Sequence, residues 1–245
     1  MAGFFWYELM TTDVEGAKAF YSKVVGWAPR GFEGGGDYTL LGLGDGGEAG
    51  GMMASPPGMP SFWIGYIYTP DVDASVEKLK AAGGKVQREP WDIPGVGRLA
   101  AVSDPQGAGF MLMTPRGEGA PPPPRGAQGR VDWRELHSTD WEAGWDFYSG
   151  LYGWEKSQAM DMGEMGSYQL FSDASEDIGA MFNNPHLPMP AWLYYFRVPS
   201  IDRAIETVKD AGGQVIQGPH EVPGGDWIIQ GMDPQGAMFA LVGGK

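Results

Sequence analysis

Hydrophobic and polar residues alternate along residues 4–12, FFWYELMTT, and this alternation predicts a β-strand. Residues 14–25 change to the 3.6-residue period of an amphipathic helix, with its apolar positions at 14, 17, 20, 21, 24 and 25. Thr12 and Glu15 have the spacing of a capping box, which places the start of the helix there. Two short glycine-punctuated apolar segments follow and are predicted to be strands: 38–44 and 50–55.

The same alternation of elements then begins again. Residues 62–69 form a strand pattern, and residues 71–84 form a helix pattern with Asp71 at its start and Gly83 at its end. Three further strand patterns follow in the segments KVQREP, RLAAVSD and AGFMLMT. Each round is assigned the order βαβββ, and the first half of the chain therefore contains two such units.

The second half of the chain repeats the first. Residues 131–154, VDWRELHSTDWEAGWDFYSGLYGW, closely match residues 4–27, FFWYELMTTDVEGAKAFYSKVVGW, and the pentapeptide DPQGA stands at both 104–108 and 233–237. A repeat of this length is a duplicated domain. We therefore predict two domains joined by a proline-rich linker, with the bounds 1–117, 118–128 and 129–245.

Composition narrows the class of protein and of ligand. The chain has 245 residues, no cysteine and a formal net charge of −14. Without cysteine there is no disulfide framework and no thiol nucleophile, and the negative charge argues against a nucleic-acid partner while favouring neutral or cationic ligands. No segment resembles a leader peptide or a membrane span. These features predict a cytoplasmic protein, a monomer or homodimer, with no membrane partner.

The motifs W-x-E-L-x-T-x-D, F-Y-S…G-W and D-P-Q-G-A, in the order βαβββ, resemble the vicinal oxygen chelate superfamily of glyoxalases, bleomycin-resistance proteins and extradiol dioxygenases. The resemblance covers nearly all of the chain outside the linker. It implies an α+β fold in which four βαβββ units form two glyoxalase-like domains with cup-shaped mixed sheets. In that fold the ligand sits inside the cup.

The resemblance also implies where a metal site would lie. Catalytic members of the family hold a divalent metal with His and Glu from the first and last strands of the units. Those positions carry side chains without suitable donor atoms in this chain: Trp6, Ile64, Met111, Trp133, Leu193 and Ala240. We therefore predict no metal site and no cofactor.

The predicted cup faces are aromatic, with one carboxylate in each half. Alternation places Trp6 and Glu8 on one face of the first strand, and Trp133, Glu135 and His137 on the matching face of its repeat. Glu135 and His137 are candidate acid–base residues, and Trp6, Glu8 and Trp133 are candidate ligand-binding residues. The two glutamates equally suit a shared structural role as hydrogen-bond acceptors.

One more candidate ligand-binding residue, His220, lies in the segment GPHEVPGGD. This segment and its counterpart REPWDIPGVG are predicted to be Gly/Pro loops that cross the mouth of the cup as a lid.

Three functions are compatible with this sequence. The first is a metal-independent protein that binds or sequesters a small molecule, as in the drug-resistance branch of the family. The second is a metal-independent lyase, isomerase or hydrolase that uses Glu135 and His137. The third is a non-catalytic interaction protein whose cups are filled by its own side chains. Whether the chain is an enzyme stays open from the sequence alone.

Overall fold

The computed structural model describes residues 3–34, 36–117, 126–173 and 176–245. These ranges contain two eight-stranded mixed sheets and four α-helices. The predicted α+β class and its four βαβββ units are confirmed. Most of the predicted linker, residues 118–125, lies outside the described residues, and the predicted domain bounds stay a prediction.

The first half of the chain contains two units. Its helices are α1 (Val14–Val24) and α2 (Val72–Ala81). Its strands are β1 (Phe4–Thr11), β2 (Ala28–Gly31), β3 (Thr39–Gly42), β4 (Glu48–Ala54), β5 (Phe62–Tyr68), β6 (Lys85–Ile93), β7 (Gly97–Ser103) and β8 (Gly109–Pro115).

The second half repeats this order and adds one short 3₁₀ turn, Gly163–Met165. Its helices are α3 (Trp141–Tyr152) and α4 (Ile201–Asp210). Its strands are β9 (Val131–Ser138), β10 (Glu155–Asp161), β11 (Ser167–Ser172), β12 (Asp177–Asn183), β13 (Ala191–Val198), β14 (Gln214–Glu221), β15 (Trp227–Met232) and β16 (Met238–Gly243).

The two sheets have the same strand order. In the first it is β2-β3-β4-β1-β5-β8-β7-β6, and in the second it is β10-β11-β12-β9-β13-β16-β15-β14. Within each unit the first strand pairs in parallel with the last, so that Glu8 lies opposite Gly51 and Glu135 lies opposite Ala180. Neighbouring strands that follow one another in sequence within a unit pair antiparallel, as in β2–β3, β7–β8 and β10–β11. The helix between the first two strands of each unit is part of the crossover connection that such parallel pairing requires.

The helix starts are capped by side chains. Asp71 accepts a hydrogen bond from Ala74 N, as predicted, and Ser200 caps α4 in the same way. At α1 the prediction was wrong by one residue: the cap is Asp13, which accepts from Gly16 N. Asp140 caps α3 equally. An Asp preceding the first helical residue satisfies a free backbone N–H and carries negative charge to the positive end of the helix.

Two strands of the βαβββ order were not located in the sequence, and two predicted loops were wrong in part. β2 and β10 were missed because they are exposed edge strands without an apolar face. The segments predicted as lid loops begin in strands, because residues 88–93 belong to β6 and residues 218–221 belong to β14, whereas residues 222–226 connect β14 to β15. Both of these strands contain register shifts where they pair with β7 and β15. Such irregularities accommodate prolines in edge strands, so Gly and Pro there do not indicate a loop.

The contacts divide the chain into two compact units, called unit 1 and unit 2, which differ from the four βαβββ units. Unit 1 consists of Met1–Phe5, Ile64–Gly119 and Arg134–Trp192, and unit 2 of Trp6–Trp63, Ala120–Trp133 and Leu193–Lys245. Each unit therefore combines segments from both halves of the sequence. No helix among the described residues is both long enough and apolar enough to cross a membrane.

The core of unit 2 contains a chain of buried hydrogen bonds. Trp63 Nε1 donates to Tyr21 Oη at 2.9 Å, and Tyr21 Oη donates to Asp233 Oδ2 at 3.0 Å. The other carboxylate oxygen, Asp233 Oδ1, accepts from the backbone N–H groups of Gln235 and Ala237. A residue of the repeated DPQGA motif thus fastens helix α1 to the turn before β16.

Unit 1 contains the same chain of bonds, built from the repeated residues. Trp192 Nε1 donates to Tyr148 Oη at 2.9 Å, and Tyr148 Oη donates to Asp104 Oδ2 at 3.3 Å. Asp104 Oδ1 accepts from the backbone N–H groups of residues 106, 107 and 108. Burial raises the pKa of both Asp104 and Asp233 above the ordinary value, because these hydrogen bonds offset only part of the lost hydration.

Candidate functional site

In unit 2 the side chains of Trp6 and Glu8, two of the predicted ligand-binding residues, are both hydrogen-bonded to the same tyrosine. Trp6 Nε1 donates to Tyr38 Oη at 3.0 Å, and Tyr38 in turn is hydrogen-bonded to the Glu8 side chain. Glu8 is only 4% exposed. Burial, together with the adjacent Glu8 carboxylate, raises the pKa of Tyr38 far above its ordinary value, so that its hydroxyl remains a donor. An indole, a phenol and a carboxylate are therefore joined in one series of hydrogen bonds.

Room for Tyr38 is provided by Gly51, which lies opposite Glu8 on β4. A Cβ atom at position 51 would overlap the Tyr38 hydroxyl. We expect Gly51→Ala to displace that hydroxyl from Glu8 and to lower the free energy of unfolding by about 1–3 kcal/mol, the cost of an unsatisfied buried acceptor. Urea unfolding measures this loss.

The second half offers a matched control for that variant. Ala180 occupies the position opposite Glu135, so Ala180→Gly is the reverse change at the repeated position. It should cost about 1 kcal/mol or less, the typical value for glycine in a strand. Equal losses for the two variants would contradict the role given to Gly51.

In unit 1 the predicted residues Glu135 and His137 lie together in a buried polar cluster. Glu135 is 5% exposed and His137 is 2% exposed. Tyr168 Oη donates to Glu135 Oε1 at 2.6 Å, and His137 Nε2 lies 3.1 Å from Glu135 Oε2. The His137 ring also packs against Phe182, with ring centroids 4.8 Å apart. The proximity of Glu135 and His137 expected from strand alternation is present.

A further residue of unit 1 completes this cluster. Asn184 Nδ2 lies 2.8 Å from His137 Nδ1, so both ring nitrogens of His137 have protein partners. An imidazole held at both nitrogens is fixed in orientation, and neither nitrogen is left for proton transfer to a ligand without breaking one of these bonds. The geometry suits a positioning role better than that of a general base.

The positions where the family resemblance places metal ligands do converge in unit 2. Leu193 and Ala240 belong to one buried cluster, together with Tyr195 and Val242, and Trp133 packs against it. Tyr195 lies opposite Ala240 in the parallel pair β13–β16. The fold thus brings first-strand and last-strand positions together. Because Trp133, Leu193 and Ala240 carry no metal-binding donor atom, these residues do not fit the family metal.

Across the described parts of the chain, no group of three or more His, Asp or Glu side chains is arranged to hold a metal ion. In unit 1, Met111 lies opposite Tyr66 in the pair β5–β8 and is 5% exposed. It occupies the last-strand ligand position of the first half, and it also offers no donor for a hard cation.

His220 is exposed and lies in strand β14, opposite Ile228 of β15. Its predicted position within a loop was therefore wrong, while its proposed contact with a ligand stays a prediction. Sequence reasoning missed Tyr38, Tyr168 and Asn184. The two tyrosines could have been found, because each begins an apolar strand segment at the corresponding place in its half, YTLL and YQLF. Asn184 has no counterpart of its kind in the first half, where Ser55 stands.

Comparison with known proteins identifies the family. The model of the Glyoxalase/Bleomycin resistance protein/Dioxygenase superfamily matches residues 3–112. The "Putative glyoxylase CFP32" of Mycobacterium bovis is 32% identical, over 97% of this chain and 93% of that protein. This chain therefore belongs to the glyoxalase/bleomycin resistance/dioxygenase superfamily, which has the vicinal oxygen chelate fold.

Other relatives share either the sequence or the fold. The "Anthracycline biosynthesis protein DnrV" of Streptomyces peucetius is 28% identical, over 97% of this chain and 91% of that protein. The Mn(II)-bound glyoxalase of Novosphingobium aromaticivorans superimposes with a TM-score of 0.71 at 19% identity, covering 98% of this chain and 81% of that chain. At that identity the likeness shows the fold alone.

Proposed function

We propose that this protein binds a flat, largely apolar small molecule on its aromatic sheet faces and does so without the family metal. The observation that carries this proposal is the replacement of the metal-ligand positions by an apolar cluster, Leu193 and Ala240 with Trp133 packed against it. A surface built this way favours an aromatic or aliphatic ligand through burial and stacking. It offers no Lewis acid.

Polar groups accompany the aromatic side chains in both halves. The pairs Tyr38–Glu8 and Tyr168–Glu135 each present a phenol bonded to a buried carboxylate. A few fixed polar groups within an apolar lining are typical of small-molecule sites, where they orient the ligand. The net charge of −14 adds a preference for a neutral or cationic ligand.

The full-length similarity to a protein named for anthracycline biosynthesis suggests a probe of matching chemistry. Daunorubicin is an anthracycline with a flat fused-ring system and a protonated amino sugar. Its rings suit stacking on tryptophan, and its ammonium group suits a carboxylate acceptor. It is also fluorescent, so binding is followed directly.

We expect Trp6→Leu and Trp133→Leu each to weaken daunorubicin binding by about fivefold, since an aromatic contact contributes about 1 kcal/mol beyond its burial. Fluorescence titration of the wild type and of each variant gives the dissociation constants, and circular dichroism checks that the variants are folded. Trp141→Leu is the control, because Trp141 lies at the start of helix α3 and its ring faces the Lys156 ammonium. Its affinity should equal that of the wild type.

Two results would count against the proposal. One is the absence of saturable daunorubicin binding up to about 100 μM, which corresponds to less than about 6 kcal/mol of binding free energy. The other is full affinity in both cup-face variants. A loss of affinity on dialysis against EDTA would show instead that binding depends on a metal.

The alternative of a metal-independent enzyme has one supporting observation, the 3.1 Å contact between His137 Nε2 and Glu135. A carboxylate beside an imidazole is the arrangement that orients a general base. The contact of the other ring nitrogen with Asn184 gives that alternative less support than the binding function.

A further inference from the structure

The turn between β10 and β11 contains three methionines within six residues. Met160 lies near the end of β10, Met162 precedes the 3₁₀ turn, and Met165 is the last residue of that turn. No other six-residue segment of the chain contains three methionines, and residues 32–38, which connect β2 to β3 in the first half, contain none. We call residues 160–166 the methionine turn, and it belongs to the second half alone.

The backbone places these three side chains on one side of the methionine turn. Met160 and Met162 are two positions apart at the end of an extended strand, which separates their Cα atoms by about 6–7 Å and points both side chains to the same face. Met162 and Met165 are three positions apart across the 3₁₀ turn, where side chains at that spacing eclipse. Backbone bonds from Met165 N to Met162 O and from Met162 N to Gly166 O, at 3.4 Å and 2.8 Å, hold this shape.

The methionine turn is open to solvent. Met162 is 43% exposed, and Met160 and Met165 are half-buried. A methionine side chain has three rotatable bonds, so it adapts its position to a partner at low cost. A small ion therefore reaches the three thioethers directly from solvent, and no enclosed cavity is needed to hold it.

The charged side chains of the methionine turn are both negative. Asp161 and Glu164 are exposed, and residues 157–172 contain no lysine or arginine. Lys156, the lysine just before this range, has its ammonium group 4.9 Å from the centre of the Trp141 ring. Two carboxylates without a basic neighbour in the segment create a negative potential that favours a cation at the turn.

From these observations we propose that the methionine turn binds a soft monovalent cation, such as Cu⁺ or Ag⁺, through the thioether sulfurs of Met160, Met162 and Met165. Thioethers are soft ligands that select Cu⁺, whereas Mg²⁺, Ca²⁺ and Mn²⁺ prefer oxygen donors. The sulfurs are neutral, so the two carboxylates of the turn balance the charge of the cation. The proposal uses none of the family's metal-ligand positions, and it does not depend on the binding of an aromatic ligand.

Methionine methyl NMR tests the site, with Ag⁺ as the probe because it is a soft cation that is stable in air. The methionine methyl groups are labelled with ¹³C, and the three Met→Leu variants of the turn assign their signals by disappearance. We expect the signals of Met160, Met162 and Met165 to shift together and to saturate at one Ag⁺, with a dissociation constant of about 10 μM or lower. Exposed Met59 and Met189 are internal controls, and their signals should move only at higher concentration.

The sharing of one cation by three sulfurs is tested by Met162→Leu, which keeps an apolar side chain of similar volume and removes one donor. We expect the Ag⁺ concentration that half-saturates the Met160 and Met165 signals to rise at least about tenfold. Met189→Leu is the matched control and should leave that concentration unchanged. The methyl signals outside the turn show in each variant that the protein is folded.

Four results would overturn the proposal. The first is the absence of any shift in the methionine turn, and the second is an equal shift of Met59 and Met189, which would show that Ag⁺ binds every exposed thioether alike. The third is unchanged titration of the two remaining signals in Met162→Leu, because sulfurs that bind separately do not form one site. The fourth is an equal shift with Mg²⁺ in place of Ag⁺, because the carboxylates would then be the ligands.

Discussion

The triple variant Trp133→His, Leu193→His, Ala240→Glu is expected to bind Mn²⁺ with a dissociation constant of about 10 μM or lower, a gain of about 7 kcal/mol over no site. The physical reason is that the fold already brings these three positions into one cluster. Two imidazoles and a carboxylate supply the nitrogen and oxygen donors that such a cation takes. The smaller imidazole at position 133 leaves volume for the larger side chain at position 240.

Electron paramagnetic resonance measures this gain, because the sharp signal of free Mn²⁺ disappears when the ion is bound. The wild type and the three single variants are the controls, and each lacks a complete donor set, so they should leave the signal unchanged at the same concentration. A folded triple variant that leaves the signal intact would show that these positions do not correspond to the family metal site.

The second large effect is expected in the buried aspartates. Asp104→Ala and Asp233→Ala should each lower the free energy of unfolding by about 3–5 kcal/mol. Asp104 accepts three backbone N–H groups and a tyrosine hydroxyl, and its removal leaves these buried donors unsatisfied. Asp233 has the equivalent partners in unit 2. Urea unfolding followed by tryptophan fluorescence measures the loss.

Asparagine at the same positions separates the hydrogen bonds from the charge. Asp104→Asn and Asp233→Asn keep one acceptor oxygen for the backbone N–H groups, so they should cost clearly less than the alanine variants, about 1–2 kcal/mol. Asp45→Ala is the matched control, since Asp45 also accepts a backbone N–H in a turn but is exposed. If Asp104→Ala were as mild as Asp45→Ala, the buried network would not contribute as described.

The raised pKa values give this comparison a definite pH dependence. Because the native-state pKa of Asp233 lies above that of the unfolded chain, the native state holds the proton more tightly between the two values. Unfolding therefore releases a proton in that window, and the contribution of Asp233 to stability falls as pH rises from about 4 through the native pKa. The stability of wild type relative to Asp233→Asn should fall in that direction, and a rise would contradict the raised pKa.

The secondary structure could be predicted wherever a segment has one buried face. Helix α2 and strand β5 have clear apolar periods, and both lie close to their predicted ranges. Strands β2 and β10 show no apolar alternation in the sequence, because they are edge strands held by backbone hydrogen bonds to one neighbouring strand. The end of strand β14 was misassigned for a related reason, because the Gly and Pro residues of the segment GPHEVPGGD suggested a loop.

The candidate site was predictable only within one strand. Alternation placed Glu135 and His137 on one face, and the structure shows them in contact. Their partners Tyr168 and Asn184 are more than thirty positions away in the sequence. Tyr168 lies on β11, and Asn184 follows the last residue of β12. A periodicity says which side of a strand a residue occupies but gives no distance to residues of another strand, so these partners were missed.

The sequence by itself determined the repeat, the four βαβββ units and the family, because repetition and hydrophobic period are local properties of the chain. It also determined that donor atoms are missing at the metal-ligand positions, since that depends on residue type alone. The tertiary structure decided that the aspartate of each DPQGA motif accepts a hydrogen bond from a tyrosine of the other half of the sequence. It also decided that both ring nitrogens of His137 contact other side chains. These facts depend on hydrogen bonds between residues far apart in sequence, whose distances and angles are fixed only when the sheets pack.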